Sequence, residues 1–364
     1  RMIEQCQPDK IHHIPRPLYH WRISHQSVAE DVNIKPYATE AGIRALNDHL
    51  QRQEINAKVD FVREVVAYRI NYALPDPQPS VTIIICAASL SDRLIQNIND
   101  LLGQTTYKNY KVNIYLSKSP SAQIPTASYT NWECKVQIRT YPENDDPSNF
   151  STLNDFVDEI SSDYICLLDE GLSGYAPEWF STLVSQANQP GIGLVAPKLI
   201  YPNGFVYCNG IILLPDLILE HLSQGAEQDD IGYFGWSKLR RGYSALSEKC
   251  LLFKRENFSL AGGFEKHFNN FLAACIDFCL KLRMLGLRNI QCPSVELTIP
   301  HNLPEQSNNK PDEQIDPLDR AYLTEHWSDW IQHDPAFNPN LTIVEDGKIL
   351  VSLTPRTDPY RAIN

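Results

Sequence analysis

Residues 167–179, LLDEGLSGYAPEW, combine local signals in an order that is typical of one kind of fold. An apolar run delivers Asp169 and Glu170 into a turn marked by Gly171 and Gly174, and a Pro-Glu-Trp entry to a helix follows. Enzymes of the α/β class place carboxylates in this way at the carboxyl edge of a sheet, where a metal and a phosphate can bind. The stretch therefore predicts an α/β fold with an acidic turn beside its site.

Outward from this stretch, predicted strands and helices alternate. Near-continuous apolar runs such as SVTIIICAA (80–88) and GIGLVAPKLIY (191–201) predict buried strands, and APEWFSTLVSQANQ (176–189) predicts one of the helices between them. Asn149 or Ser151 is expected to cap another helix. This alternation indicates a mostly parallel sheet that is covered by helices on both faces.

Composition divides the chain into four predicted parts. Three prolines in PDPQPS (75–80) remove backbone donors and predict a linker. We therefore expect an N-terminal α+β appendage (1–75), a linker (76–80), a main α/β domain (81–310) and a C-terminal helix and strand extension (311–364).

Overall composition is that of an ordinary soluble protein and excludes several classes. The chain has 364 residues, of which 43% are hydrophobic and 21% charged. A formal net charge of −12 argues against a nucleic-acid binder, which would present a basic face. No apolar run approaches the roughly 20 residues of a membrane-spanning helix, and the opening RMIEQCQPDK lacks the apolar core of a signal peptide, so we expect a cytoplasmic location.

Cysteine spacing predicts buried thiols rather than a metal site. Nine cysteines occur without the paired CxxC spacing of a zinc site. Several lie in apolar, strand-like runs, and these are Cys86, Cys166, Cys208 and Cys250. Reduced cysteine behaves as a small hydrophobic residue, so we expect these side chains to be buried.

The order of motifs from residue 80 to residue 343 resembles the inverting glycosyltransferases of family 2, which have the GT-A fold. Besides LLDEGLSGYAPEWFSTLV, the matching stretches are YKNYKVNIYL, SNFSTLND, GLVAPKLIYPNG, DDIGYFG, CLLFKRENFSLAGGFEK, IDFCLKLRMLGLR and HDPAFNPNL. In tandem proteins of this family, a first transferase domain ends with a run like IHHIPRPLYHWRISHQS (11–27). The resemblance thus implies that residues 1–75 are the tail of an upstream transferase domain, with Arg1 at a fragment boundary.

A role in bacterial cell-surface polysaccharide synthesis, such as that of O-antigen or capsule, is what the resemblance implies. The donor would be a nucleotide-diphospho-sugar, the acceptor a glycan, and the cofactor of an active enzyme Mn or Mg. The upstream transferase domain would be a further partner. The expected location is the cytoplasm, peripheral at the inner membrane.

Nucleotide recognition in this family uses an Asp after each of the first two strands. The first falls at Ser89 here and the second at Leu116. A serine hydroxyl accepts one weak hydrogen bond and a leucine side chain accepts none. Asp92 either substitutes for Ser89 or is only a favourable charge at a helix N-terminus.

The acids of the family's DxD motif align with Asp169, Glu170 and Gly171, so a glycine stands where the metal-ligating carboxylate belongs. Two interpretations stay open. Asp169 and Glu170 are nucleotide and metal ligands, with His301 in LTIPHNLPEQ completing the site, or they are solvated turn residues.

The family's catalytic base aligns with Cys275, and a second acid is retained as Asp277. A thiol with a pKa near about 8.5 is a poor base for a hydroxyl group. Asp277 either contributes to catalysis or caps its helix and pairs with a nearby Lys or Arg. In the acceptor region, His221 matches a family position, while Glu248 and Lys249 replace small residues and predict a narrowed pocket.

The departures from the family's motifs fall together at the positions that would bind the nucleotide and the metal and accept the proton. Two hypotheses follow. In the first, the domain is catalytically impaired and serves as a scaffold or acceptor-binding module beside an active upstream domain. In the second, it is an active inverting, metal-dependent transferase whose site is built from Asp169, Glu170, Asp277 and His301.

Overall fold

The computed structural model describes residues 3–7, 10, 11, 14, 18, 19, 36–117, 132, 135–140, 150–301, 315–344, 348–352, 354 and 355. The described α-helices are α1 (Pro36–Arg52), α2 (Asp92–Gln104), α3 (Phe150–Asp158), α4 (Trp179–Ala187), α5 (Arg255–Leu260), α6 (Phe271–Met284), α7 (Pro317–His326) and α8 (Ser328–Gln332). The described strands are β1 (Ala57–Val62), β2 (Ala67–Tyr72), β3 (Val81–Ala87), β4 (Tyr110–Leu116), β5 (Val136–Thr140), β6 (Tyr164–Leu168), β7 (Ile192–Ile200), β8 (Val206–Cys208), β9 (Ile211–Leu214), β10 (Ile218–His221), β11 (Arg241–Tyr243), β12 (Cys250–Lys254), β13 (Arg288–Thr298), β14 (Leu341–Ile343) and β15 (Ile349–Val351).

The chain forms two compact units. The first comprises Arg1–Ala73, Ile231–Gly235 and Phe337–Asn364, and the second comprises Leu74–Asp230 and Trp236–Ala336. In the first unit β1 pairs antiparallel with β2, and β14 pairs antiparallel with β15. These hairpins and α1 give the unit its α+β character. The domain limits drawn from the sequence stay predictions, and most of the stretch that resembles the tail of an upstream domain lies outside the described residues.

The second unit is built on a nine-stranded sheet with strand order β11-β13-β7-β12-β6-β3-β4-β5, and β8 pairs with β7. β6, β3, β4 and β5 run parallel, as do β7 and β13. Helices α4 and α6 pack against β7 and β13. The predicted α/β fold, with helices flanking a mostly parallel sheet, is therefore confirmed.

Strand β12 is an interior exception to the parallel arrangement, and β11 and β8 also pair antiparallel, with β13 and β7 respectively. β12 inserts antiparallel between β6 and β7, with Cys250 opposite Leu168 and Leu252 opposite Val195. Its residues Cys250–Phe253 are buried, as are all five residues of β6, which explains why both segments read as continuous apolar runs. Because β12 runs antiparallel, its first residue lies at the edge where β6 ends.

That edge gathers the segments that carry the predicted site residues. β3 ends there at Ala87, β6 ends at Leu168, and the chain enters β12 there at Cys250. Of the two predicted caps of α3, Asn149 lies outside the described residues, and Ser151 is the second residue of the helix itself. Within the described part of the chain, none of the helices combines the length and apolar character that a bilayer span requires.

Candidate functional site

The acidic turn after β6 is held from several sides. The amide of Asp169 donates to the carbonyl of Lys249 at 2.8 Å, which continues the β6–β12 pairing by one residue. The amide of Gly171 donates to Asp169 Oδ1 at 2.8 Å, and Asn97 Nδ2 donates to the carbonyl of Glu170 at 2.9 Å. The turn is therefore a fixed element of the structure, and Asp169 is one of the groups that fix it.

A cavity of about 390 Å³ opens beside this turn. Its polar wall brings together groups from five separate segments, namely Asp169, Tyr207, Glu248, Lys249, Asn270 and His301. Its apolar wall consists of Ile84, Cys86, Leu153, Leu167, Leu168, Phe271 and Leu272. Mixed walls of this kind, with a few convergent polar groups, are typical of small-molecule sites.

Lys249 forms the electrostatic centre of the cavity. Its Nζ lies 3.1 Å from Asp169 Oδ2 and 3.3 Å from Glu248 Oε1. Burial disfavours the charged ammonium, but the carboxylates of Glu248 and Asp169 outweigh that effect and raise the pKa of Lys249. The sequence predicted that Glu248 and Lys249 narrow the pocket. Both line it, but the sequence did not predict that Lys249 would pair with Asp169.

Gly171, which the family resemblance aligns with a metal-ligating carboxylate, has little space for a side chain. Gly171 is buried, and a Cβ atom added there would lie 2.8 Å from Pro300 Cγ and 3.2 Å from Asp169 Oδ1. Across the described residues, no group of three or more His, Cys, Asp or Glu side chains is arranged to hold a metal ion. With one oxygen of Asp169 on a backbone amide and the other on an ammonium, the residues present do not fit a divalent cation.

Glu170 and His301, the other predicted metal ligands, lie apart. His301 lines the cavity, with its ring centroid 6.1 Å from that of Tyr201 and 6.5 Å from that of Tyr207. Glu170 is outside the cavity wall and half-buried, and burial together with the charge of Asp169 raises the pKa of its carboxyl. The structure thus brings Asp169 and His301 to one cavity and leaves Glu170 out.

Cys275, which the family resemblance aligns with a catalytic base, is closed to solvent. The side chain of Cys275 is 0% exposed, and burial, with a smaller contribution from the charge of Glu248, raises the pKa of its thiol well above the ordinary value. Asp277 is only 1% exposed. Its Oδ1 accepts a hydrogen bond from Trp327 Nε1 at 2.9 Å, and its Oδ2 lies 2.9 Å from Lys281 Nζ. Asp277 therefore stabilises the packing of α6, and neither side chain lines the cavity.

The predicted nucleotide-binding residues also lie outside the cavity wall. Ser89 is exposed, and Asp92 is exposed in the first turn of α2, where an acidic charge is favourable. The cap of that helix is Ser91, whose side chain accepts from the amide of Leu94 at 3.2 Å. Leu116 is fully buried at the end of β4.

His221, the predicted acceptor residue, is buried behind the cavity. It is 1% exposed at the end of β10, and its ring packs edge-on against Tyr207 with centroids 5.6 Å apart. Tyr207 is the residue that reaches the cavity. The sequence offered no local signal for Tyr207, because it lies inside a short strand with buried neighbours on both sides.

Asn270 and Cys86 are further wall residues that the sequence did not single out as site residues. Asn270 caps α6 by accepting from the amide of Ala273 at 3.1 Å, and its own amide donates to Asp319 Oδ2 at 2.8 Å. An Asn directly before an apolar helix is a signal that would have found it. Cys86 is exposed, which corrects the expectation that it is buried, because β3 reaches the cavity at this point.

No protein-family model matches the chain. Two curated relatives match nearly all of it. The uncharacterized protein y4gI of Sinorhizobium fredii is 30% identical over 365 residues, which are 97% of this chain and 39% of that protein. The O-antigen biosynthesis protein RfbC of Myxococcus xanthus is 28% identical over 341 residues, which are 92% of this chain and 26% of that protein. The chain thus spans well under half the length of these relatives.

Two solved glycosyltransferase structures are similar to the chain. GalNAc-T7 with UDP, GalNAc and Mn2+ superposes with a TM-score of 0.54 at 11% identity, covering 74% of this chain and 53% of that one. The mannosyltransferase PcManGT from Pyrobaculum calidifontis, in complex with GDP-Man and Mn2+, gives a TM-score of 0.44 at 17% identity, covering 65% and 61%. On the likeness to GalNAc-T7 and its own sheet topology, the chain has the GT-A glycosyltransferase fold.

Proposed function

We propose that this chain is a family 2-like glycosyltransferase domain of bacterial cell-surface polysaccharide synthesis that holds a glycan but does not itself transfer sugar. The GT-A fold supports the general class. The similarity to an O-antigen biosynthesis protein supports the pathway. The glycan would be an acceptor or a growing chain, and the work of transfer would fall to another domain.

The burial of Cys275 is the observation that carries this proposal. A general base must come within about 3 Å of the hydroxyl proton that it removes. Cys275 is 0% exposed and its thiol pKa is raised, so it meets neither the geometric nor the protonation requirement. Asp277, the acid retained nearby, is already bound to Trp327 and Lys281.

The charges of the cavity also favour an uncharged sugar over a nucleotide diphosphate. In the described part of the wall, two carboxylates, Asp169 and Glu248, face one ammonium, that of Lys249. A diphosphate would add negative charge to a site that has no surplus of positive charge. Sugar hydroxyls, by contrast, can donate to carboxylates, and the rings of Tyr207 and Phe271 offer apolar faces.

The length of the relatives supports a tandem arrangement. This chain spans 39% of one relative and 26% of the other, which leaves room in such proteins for further domains. We propose that residues 1–75 belong to the end of an upstream transferase domain. We also propose a cytoplasmic, inner-membrane-peripheral location for the whole protein. Sequencing upstream of Arg1 tests the arrangement, since an intact acid set there would identify the active domain.

Titration calorimetry with UDP-, dTDP- and GDP-sugars, in Mn2+ and in EDTA, tests the proposed function. We expect no binding tighter than about 1 mM and no release of nucleoside diphosphate. Saturation-transfer NMR with neutral oligosaccharides is expected to show contact that Tyr207→Ala weakens. Turnover of a nucleotide sugar that disappears in Asp169→Ala but survives in the control Asp158→Ala would overturn the proposal.

One observation favours a second candidate, an active transferase with a relocated base. Glu248 lines the cavity, its side chain is 13% exposed, and its charge contributes to the raised pKa of Cys275. The carboxylate of Glu248, two residues before β12, would then act as the base in place of the residue at position 275. This candidate requires that Glu248→Gln abolish sugar transfer at unchanged donor binding, and the absence of any turnover by the wild-type chain would exclude it.

A further inference from the structure

The positive charge of this cavity comes from Lys249, which lies beside the acidic turn. Lys249 directly precedes β12, and Asp169 directly follows β6. Because the two strands pair antiparallel, the two residues are neighbours across the sheet, 80 residues apart in the chain. We propose that the Lys249 ammonium takes the place of a divalent cation at this turn, so that the cavity binds its ligand without metal.

The hydrogen bonds of the two carboxylates support this assignment. Asp169 accepts from Lys249 Nζ through Oδ2 at 3.1 Å and from the amide of Gly171 through Oδ1 at 2.8 Å. In Glu248, Oε1 lies 3.3 Å from Lys249 Nζ, and Oε2 accepts from the hydroxyl of Ser247 at 3.3 Å. Every oxygen of this pair is therefore engaged, and a metal would have to displace the ammonium to reach them.

The charge and position of Lys249 make that displacement unfavourable. The carboxylates of Glu248 and Asp169 raise its pKa despite burial, so the side chain carries its charge throughout the neutral range. A divalent cation at hydrogen-bonding distance from an ammonium would be repelled strongly in a partly buried site. The side chain of Lys249 is 31% exposed, so the ammonium remains available to a ligand in the cavity.

Sterics remove the alternative of a third oxygen ligand at the turn. A side chain at residue 171 would begin with a Cβ atom 2.8 Å from Pro300 Cγ. A metal at the turn would thus depend on the carboxylates of Asp169 and Glu248, which the Lys249 ammonium already engages. Lysine, a compact point charge on a flexible stem, satisfies two carboxylates without further oxygen ligands.

The inference rests on the proposed function in one respect, since it takes this cavity as the ligand site. It does not depend on whether the domain transfers sugar. The matched variants are Lys249→Met, which removes the charge at nearly constant volume, and Lys249→Arg, which retains it. Lys254→Met is the control, because Lys254 lies at the opposite end of β12 and pairs at 3.7 Å with the exposed Glu256.

Electron paramagnetic resonance of free Mn2+, titrated with the full chain, is the measurement. We expect the wild-type protein, Lys249→Arg and Lys254→Met to leave the Mn2+ signal unchanged, and Lys249→Met to bind Mn2+ at least about tenfold more tightly, because two vacated carboxylates suit a hard cation. Adding Asp169→Asn to Lys249→Met is expected to abolish that gain. Circular dichroism checks that each variant folds, and Lys249→Gln replaces Lys249→Met if the latter does not.

Two outcomes overturn the inference: Mn2+ binding by the wild-type chain that Asp169→Asn abolishes, or a free Mn2+ signal that folded Lys249→Met leaves as unchanged as the wild type does. Failures of the two proposals are distinguishable. Sugar transfer in EDTA would overturn the proposed function and support the role of Lys249. Wild-type Mn2+ binding without transfer would overturn the role of Lys249 alone.

Discussion

At the scale of single residues, Asp169 and Asp277 are both engaged by other groups of the protein. Asp169 holds a turn through Gly171 and an ion pair through Lys249, and Asp277 holds α6 through Trp327 and Lys281. Lys281 in turn pairs with Glu265 at 2.6 Å. A carboxylate whose oxygens are all engaged within the protein has little capacity left for a substrate, which is why the presence of acids alone does not establish an activity.

Replacing Asp277 should therefore affect stability strongly. Asp277→Ala leaves Trp327 Nε1 and the buried side of Lys281 without their acceptor. We expect a loss of about 3 kcal/mol or more in the free energy of unfolding, measured by urea denaturation. The control Asp158→Ala, at an exposed position in the last turn of α3, should change stability by less than about 0.5 kcal/mol. Equal stabilities of the two variants would contradict a structural role for Asp277.

Cysteine labelling distinguishes the exposed thiol of Cys86 from the buried thiol of Cys275. Cys86 is exposed in the cavity wall, and Cys275 is fully buried with a raised thiol pKa. Iodoacetamide reacts with the thiolate, so we expect native protein to be modified at Cys86 and at Cys275 only after denaturation. Peptide mapping by mass spectrometry reads both sites in one sample. Modification of Cys275 at the rate of Cys86 in the native state would show that the base position opens to solvent.

At the scale of elements, the turn between β6 and α4 is defined by close packing as well as by hydrogen bonds. Gly171 has no room for a Cβ atom against Pro300, which follows β13. Ser173 forms an isolated bridge with Thr298, so the turn is also tied to the end of β13 through the backbone. The glycine therefore reflects the approach of two chain segments rather than a requirement for an unusual backbone angle.

Gly171→Ala tests that packing. The added methyl group would press on Pro300 Cγ, and we expect a loss of about 1–3 kcal/mol in unfolding free energy by thermal denaturation. Pro300→Ala in the same chain should recover part of the loss by removing that atom. The control is Gly103→Ala in α2, where nothing lies within 4 Å of the new Cβ, and a gain of about 0.5–1 kcal/mol is expected there. A neutral effect of Gly171→Ala would mean that the turn gives way.

At the scale of the whole molecule, the segment before residue 337 belongs structurally to the GT-A unit. Trp327 is hydrogen-bonded to Asp277, and Asp319 accepts from the amide of Asn270 at the start of α6. Asp334 accepts from the amide of Leu213 at 2.8 Å and from the hydroxyl of Ser244 at 2.6 Å. Each contact joins this segment to chain at least 49 residues distant, so local sequence could not reveal it.

Two truncations test this assignment. A chain ending at residue 310, the limit predicted from sequence, loses Asp319, Trp327 and Asp334, whereas a chain ending at residue 336 keeps them. We expect the shorter chain to lose cooperative unfolding, because several buried polar groups are left without partners. The longer one should retain the cooperative transition of the second unit in circular dichroism melts. Similar transitions in both would show that the segment is dispensable.

Much of the fold followed from local pattern. Continuous apolar strands, amphipathic helices and the turn glycines predicted the α/β sheet and the acidic turn, because side-chain periodicity is a property of neighbouring residues. The site was less accessible. The sequence placed Glu248 and Lys249 at the pocket, but Tyr207 carried no signal, and Glu170 is not among the residues that line the cavity.

What the sequence determined by itself was the succession of strands and helices and the absence of carboxylates at Gly171 and Cys275, since both are properties of the chain alone. Only the tertiary structure decided which partners the remaining polar groups contact. The antiparallel insertion of β12 beside β6 placed Lys249 next to Asp169, and Trp327, between α7 and α8, donates a hydrogen bond to Asp277. Strand direction and helix docking depend on contacts between distant segments, whose total burial selects one arrangement among many that the local pattern allows.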